Sequence, residues 1–190
     1  MQEIADAGAK VLHNRCIQIG QRFNLDIVSK STFINGSGTK VCKQIEKSEV
    51  KSIVKNDKLV LIKMSKTEQF SKEDVYNIYN ELLKNNIIVE NFKVKEEIEF
   101  RIKKSEQNLV EELLEIKYPN YNITQSEIIK LSVIGYGIIK DNIVLSKIID
   151  ILEKNEIEIL DINLTQAKIE IITDNASDSI VQELHNSLIK

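Results

Sequence analysis

One proline, six glycines and no tryptophan in 190 residues leave little from which to build a linker or a low-complexity tract. The two cysteines, Cys16 and Cys42, are too few for a disulfide framework and agree with a reducing compartment, so a cytoplasmic location is expected. No apolar run approaches the roughly 18 residues of a membrane span, and the N-terminus lacks the charged-then-apolar layout of a signal peptide. Basic excess is missing too. Lys and Arg number 26 against 29 Asp and Glu, interspersed, for a formal net charge of −3, which argues against a nucleic-acid or acidic-membrane partner. What is present is isoleucine, lysine, glutamate and asparagine, with 42% hydrophobic residues, enough to fill two small cores.

The pattern is clearest from Ile128 to Ile172. Leu131, Val133 and Ile134 open a strand that stops at Gly135-Tyr136-Gly137, and Asp141 or Asn142 stands where a helix wants its N-cap. Leu145, Ile148, Ile149 and Leu152 then fall at i, i+3, i+4 and i+7, one apolar helix stripe, with Asn155 as its stop. Two strands follow, Ile157 to Leu164 and Ile169 to Ile172, around a turn near Gln166, and Ser177 precedes a helix carrying Ile180, Val181, Leu184 and Leu188. The same order occurs 70 residues earlier. Val75, Ile78, Tyr79 and Leu82 repeat the stripe behind a capping-box-like Ser71-Lys72-Glu73-Asp74. Ile87 and Val89 match Ile157 and Ile159, Ile98, Phe100 and Ile102 form the hairpin partner, and Leu109, Val110 and Leu113 match the last helix at an offset of 71. Helix, strand, hairpin and helix in register make this an internal duplication of a βαββα unit. The expected fold class is therefore α+β: two ferredoxin-like βαββαβ units with antiparallel sheets, two helices covering one face of each.

Ahead of them, residues 2–22 read as one helix with Ile4, Gly8, Leu12, Cys16 and Ile19 on one side, starting so abruptly that the chain resembles a piece of a longer one. Leu25 to Ser29 reads as a short strand and Asn35-Gly36-Ser37-Gly38 as a turn. The second unit lacks a fourth strand, and Thr39 to Ile45, alternating through Val41 and Lys43, is the candidate to supply it. The expected domains are residues 1–38 as a leading segment, 49–127 as the first unit, and 39–48 plus 128–190 as a discontinuous second unit.

Little in the sequence reads as catalysis. His13 and Cys16 make an H-x-x-C pair without a further ligand, so Cys16 reads as a small apolar filler, and His185 reads as exposed. Gly135-x-Gly137 without a third glycine or a Gly-Lys-Ser reads as a tight strand-to-helix turn rather than a nucleotide cradle. An RNA platform would need aromatic and basic residues on the open sheet face, where only Phe92 and Phe100 are aromatic.

The stretch Glu3-Ile4-Ala5-Asp6-Ala7-Gly8-Ala9-Lys10-Val11-Leu12-His13, then Arg15, Phe23-Asn24-Leu25, Ser31-Thr32-Phe33 and Gly38-Thr39, closely resembles the end of the kinase domain of aspartate kinases, which carry a tandem pair of ACT domains directly after it. Asn14 departs from the family's proline and Lys30 from its arginine, and the phosphate-binding Lys-Phe-Gly-Gly-Thr-Ser motif is absent. The resemblance implies a regulatory part that senses an end-product amino acid, lysine or threonine, for feedback inhibition of aspartate phosphorylation. It implies no catalytic residue, metal ligand or cofactor in this chain, ATP and Mg belonging to a kinase domain that is its expected partner. It also implies that the two units pack side by side, within or between chains, with the effector in the seam, and that dimers form. The effector residues it implies in the first unit are Met64, Ser65, Phe70, Ser71, Val89, Glu90 and Asn91, although no glycine occurs in that turn and Glu90 replaces an aspartate common in lysine-inhibited members. In the second unit they are Gly135, Gly137, Asp141, Asn142, Leu160 and Asp161: free backbone N–H groups at the helix start would hold the effector's carboxylate, and Asp161 either receives its ammonium or is a solvated strand residue. No nucleic acid and no membrane are expected among the partners.

Overall fold

The computed structural model describes residues 1–9, 12–33, 36–42, 49–140 and 142–189. In chain order the elements are α1 (Gln2–Asp6), α2 (Asn14–Phe23), β1 (Ile27–Ser29), β2 (Thr39–Val41), β3 (Ser52–Ser65), α3 (Lys72–Lys84), β4 (Glu90–Val94), β5 (Ile98–Lys103), α4 (Gln107–Lys117), β6 (Asn122–Ile134), α5 (Asn142–Lys154), β7 (Ile159–Leu164), β8 (Lys168–Thr173) and α6 (Asp178–Leu188). They divide into two compact units, Asp57–Ile129 and a discontinuous one of Met1–Asn56 with Lys130–Lys190. The long strands β3 and β6 have residues in both.

In the unit of Asp57–Ile129 the strand order is β4-β5-β3-β6, the order of a split βαβ fold. β5 lies antiparallel to β3, Ile62 opposite Phe100 and Met64 opposite Ile98, and antiparallel to β4. Alternation sends Val60, Ile62 and Met64 of β3 and Ile98, Phe100 and Ile102 of β5 to one face, where they bury against Ile78 and Leu82 of α3 and Val110 and Leu114 of α4. Each fully buried side chain of this kind contributes about 1.5–3 kcal/mol.

In the discontinuous unit the order is β3-β6-β8-β7. The fourth strand is thus the opening of β3, led in by Lys51 N–H donating to the Ile134 carbonyl at 2.7 Å. This corrects the expectation for Thr39 to Ile45. Thr39–Val41 pairs antiparallel with Ile27–Ser29 instead, steadied by Lys40 and Asp26 at 2.7 Å, and Lys43 to Ile45 lie outside the described residues. The single helix expected over 2–22 is also two. Gly8, at φ +107°, ends the first, and His13 caps the second by accepting from Arg15 N–H at 3.3 Å. Ile4, Ala7 and Ala9 pack on Val54 and Ile134. α2 buries Ile17 and Gly20, which leaves Cys16 exposed rather than a core filler.

The duplication persists at the level of single hydrogen bonds. Asn85 Nδ2 donates to the Glu81 carbonyl at 2.8 Å and Asn155 Nδ2 to the Ile151 carbonyl at 2.8 Å. The next residue is left-handed in both, Asn86 at φ 57° and Glu156 at φ 56°. Ile87 and Ile157 N–H then reach back to Leu82 and Leu152, each at 3.0 Å, closing both helices with the same left-handed cap. The extra residue of the second copy lies in its hairpin: Val94 pairs with Ile98, whereas Leu164 pairs with Ile169. No helix among the described residues is long and apolar enough to cross a membrane.

Candidate functional site

In each unit the residues singled out from sequence fall into a turn group and a strand group. The first unit's turn group sits where β3 delivers Met64, fully buried, and Ser65 to the start of α3. Ser71 caps α3: its Oγ accepts from Asp74 N–H at 3.1 Å, and Asp74 Oδ2 accepts from Ser71 N–H and Oγ, both at 2.7 Å. Two residues missed from the sequence complete the cluster. Lys66 Nζ lies 2.7 Å from Asp74 Oδ2 and over the rings of Phe70, at 5.3 Å, and Tyr121, at 5.6 Å. The Tyr121 hydroxyl donates to Asp74 Oδ1 at 2.9 Å, and its ring meets Phe70 edge to face and stacks on Tyr118. The Lys66 hydrogen bond, followed by those from Ser71, holds the Asp74 carboxyl far below the usual carboxylate range; the same bond outweighs desolvation and raises Lys66. The acid at the third helical position was a legible signal, whereas Tyr121, 47 residues on, carried none.

In the second unit's turn group both glycines have internal reasons. Gly137 is left-handed at φ +73°. At Gly135 a Cβ would overlap the Glu49 carbonyl oxygen and come within 2.8 Å of Ile138 Cγ2. Their N–H groups are committed, Gly135 to the Ala167 carbonyl at 2.9 Å and Gly137 to the Gln166 carbonyl at 2.8 Å. This corrects the expectation that they stand free for a carboxylate. Asn142 is exposed and opens α5; Asp141 lies outside the described residues.

The strand groups sit on matching bulges. In the first unit the β4–β5 register shifts between Glu90 and Lys93, with Asn91 left-handed at φ 53°; Val89 packs on the core. In the second the β7–β8 register shifts between Ile159 and Asp161, across Leu160. Bulges of this kind re-aim side chains at functional edges. Within a unit, however, the strand group does not meet the turn group. Asp161 pairs with Ile172, five residues along β8 from Ala167, roughly 16 Å at about 3.3 Å per residue. Glu90 pairs with Arg101 and Arg101 with Leu61, so it lies roughly 13 Å below Ser65 by the same rise. One amino acid does not span either distance.

The remaining candidates stay apart from these groups. His185 is exposed, and no group of three His, Cys, Asp or Glu among the described residues is placed to hold a metal ion. Phe100 is fully buried and Phe92 stacks on it at 5.6 Å, so neither is offered as a platform for bases.

Two βαββαβ units, one set within the sequence of the other, give the chain the fold of a pair of ACT domains. No family model matches the chain. An aspartokinase of Rickettsia felis (strain ATCC VR-1525 / URRWXCal2) is 31% identical over 195 residues, covering 98% of this chain and 48% of the relative. Among solved structures, Clostridium acetobutylicum aspartate kinase has the same fold with a TM-score of 0.82 at 18% identity, over 98% of this chain and 47% of that one. E. coli aspartokinase III in complex with lysine and aspartate (T-state) gives 0.76 at 19% identity, over 100% of this chain and 44% of that one. The chain is similar to aspartokinases over nearly all of its own length, and it spans about half the length of the curated relatives it matches.

Proposed function

We propose that this chain is the effector-sensing part of an aspartate kinase: it binds an end-product amino acid, lysine or threonine, and thereby inhibits phosphorylation of aspartate by a kinase domain. The observation that carries the reading is the match to an aspartokinase over 98% of the chain; the lysine-bound state of a structural neighbour supports lysine as the first effector to test. The proposed site is the start of α5 around Asp141 and Asn142, where the positive end of a helix attracts a carboxylate, together with the bulge at Leu160 and Asp161, whose carboxylate suits an ammonium. Because the glycine turn ahead of α5 lies roughly 16 Å from this bulge within one chain, the site is proposed to form between two copies. The exposed apolar row Leu160, Ile162 and Leu164 along β7, the last strand in its unit's order, supports pairing with a second copy. The first unit's Met64, Ser65, Phe70, Ser71, Val89, Glu90 and Asn91 then form the corresponding region of a unit whose role is structural. Control follows from differential affinity, the effector binding the inhibited arrangement more tightly than the active one. The kinase domain, its ATP and its Mg belong to the rest of such an enzyme.

Calorimetric titration with lysine and with threonine tests this, alongside sedimentation. Binding by one of them, weakened about tenfold or more in Asp161→Asn in keeping with loss of a charge-assisted contact, is the expected result. Absence of binding by every amino acid of the aspartate-derived group overturns the reading.

A further inference from the structure

The cluster at the start of α3 has the chemistry of an amino-acid site with both charges already supplied. A helix start attracts a carboxylate, and Asp74 fills it, taking the N–H and Oγ of Ser71 at 2.7 Å. Two aromatic faces beside a carboxylate attract an ammonium, and Lys66 fills that place, 2.7 Å from Asp74 and 5.3 and 5.6 Å from the Phe70 and Tyr121 ring centres. Tyr121 fixes the other carboxylate oxygen at 2.9 Å. The Lys66 and Asp74 side chains are only 16% and 22% exposed, so the pair is largely shielded from water.

We propose that Phe70, Asp74 and Tyr121 form a primary-ammonium site that the chain occupies with its own Lys66, so that the first unit is closed to an amino-acid effector. Lys66 is tethered eight residues from Asp74. A ligand on so short a tether acts at an effective concentration in the millimolar range or above, and a free amino acid at lower concentration does not displace it. The consequence for sensing rests on the regulatory reading above: effector binding falls to the second unit, and the two duplicated copies are not equivalent sites.

The test uses propylammonium, which carries the missing group and nothing else. Lys66→Ala in the whole chain empties the site, and its melting temperature is expected to rise with millimolar propylammonium, at an affinity about tenfold or more above any response of the unaltered chain. The Lys66→Ala, Asp74→Asn double variant is expected not to respond. A Lys66→Ala chain no more sensitive to propylammonium than the unaltered one overturns the proposal. A second measurement needs no variant to fold. The Asp74 carboxyl and Lys66 ammonium resonances of the unaltered chain are expected to stay fixed on titration with lysine or threonine, and displacement of Lys66 by either overturns the proposal. The propylammonium arm decides it even where no amino acid binds the second unit.

Discussion

The Tyr121 hydroxyl and the Asp74 carboxylate meet at 2.9 Å across 47 residues of sequence, tying the loop after α4 to the first turn of α3. Tyr121→Phe leaves the ring stacking intact and removes one hydrogen bond to a charged acceptor, at a cost of roughly 1.5 kcal/mol. Urea denaturation measures it, and an unchanged midpoint would mean that water replaces the hydroxyl without loss.

The same carboxylate sets a pH dependence whose sign is fixed. Lys66, then Ser71, depress the folded-state pKa of Asp74. Its contribution is therefore fully present above the unfolded pKa, about pH 4, and is lost as pH falls toward the folded-state value. Asp74→Asn should lower stability at neutral pH and flatten the decline on acidification. Parallel acid limbs for the two proteins would exclude Asp74 as a contributor.

Gly135 and Gly137 should respond to alanine differently. At Gly135 the obstacle is a backbone carbonyl that has no rotamer to escape to, so Gly135→Ala should cost at least the roughly 1–3 kcal/mol of an overpacked core site. Gly137→Ala bears the cost of a left-handed backbone, about 1–2 kcal/mol. A Gly135→Ala chain as stable as the unaltered one in thermal denaturation would contradict the close approach of Glu49.

How much of this was legible turns on particular residues. The duplication could be read because Ile78 and Leu82, and Ile148 and Leu152, serve the same packing role, and apolar spacing records packing directly. The break at Gly8 could not, since the helical spacing of Ile4, Gly8 and Leu12 continues across a residue whose φ of +107° is invisible in a side-chain pattern. Thr39 to Ile45 was misplaced for a related reason. A single alternating strand fits any sheet edge, and Ser52–Asn56, read as part of the first unit, was the nearer partner. Among the site residues, the two glycines were legible as a turn, but hydrogen-bond commitment to Gln166 and Ala167 is a tertiary fact.

Glu156 offers a gain in stability. It is held left-handed at φ 56° in the cap that Asn86 fills in the first copy, and a non-glycine residue there costs about 1–2 kcal/mol. Glu156→Gly should raise stability by about 0.5–1 kcal/mol once the added freedom of the unfolded chain is set against that strain. A lower melting temperature would show that the Glu156 side chain makes contacts that outweigh it.

Lys168 anchors α1. Burial works to lower its pKa, but Glu170 at 3.0 Å and Glu3 at 3.4 Å more than offset this and leave it raised. Lys168→Met should loosen α1, seen as faster amide hydrogen exchange at Ala5 and Ala7, whose N–H groups bond within that helix. Unchanged exchange there would assign its anchoring to Ile4, Ala7 and Ala9 alone.

The second hairpin is one residue longer than the first, a residue gained or lost between the two copies. Both turns close on themselves, Lys95 N–H to the Glu97 carbonyl at 3.0 Å and Thr165 N–H to the Lys168 carbonyl at 2.9 Å, but the longer one also presents the Gln166 and Ala167 carbonyls to the glycine turn beside it. One copy holds its strand-to-helix turn through a neighbouring loop, the other through an acid and a lysine of its own. A chimaera that exchanges only the hairpins would therefore strand Gly135 and Gly137 without the Ala167 and Gln166 acceptors, so the hairpin and the glycine turn stand or fall as one piece.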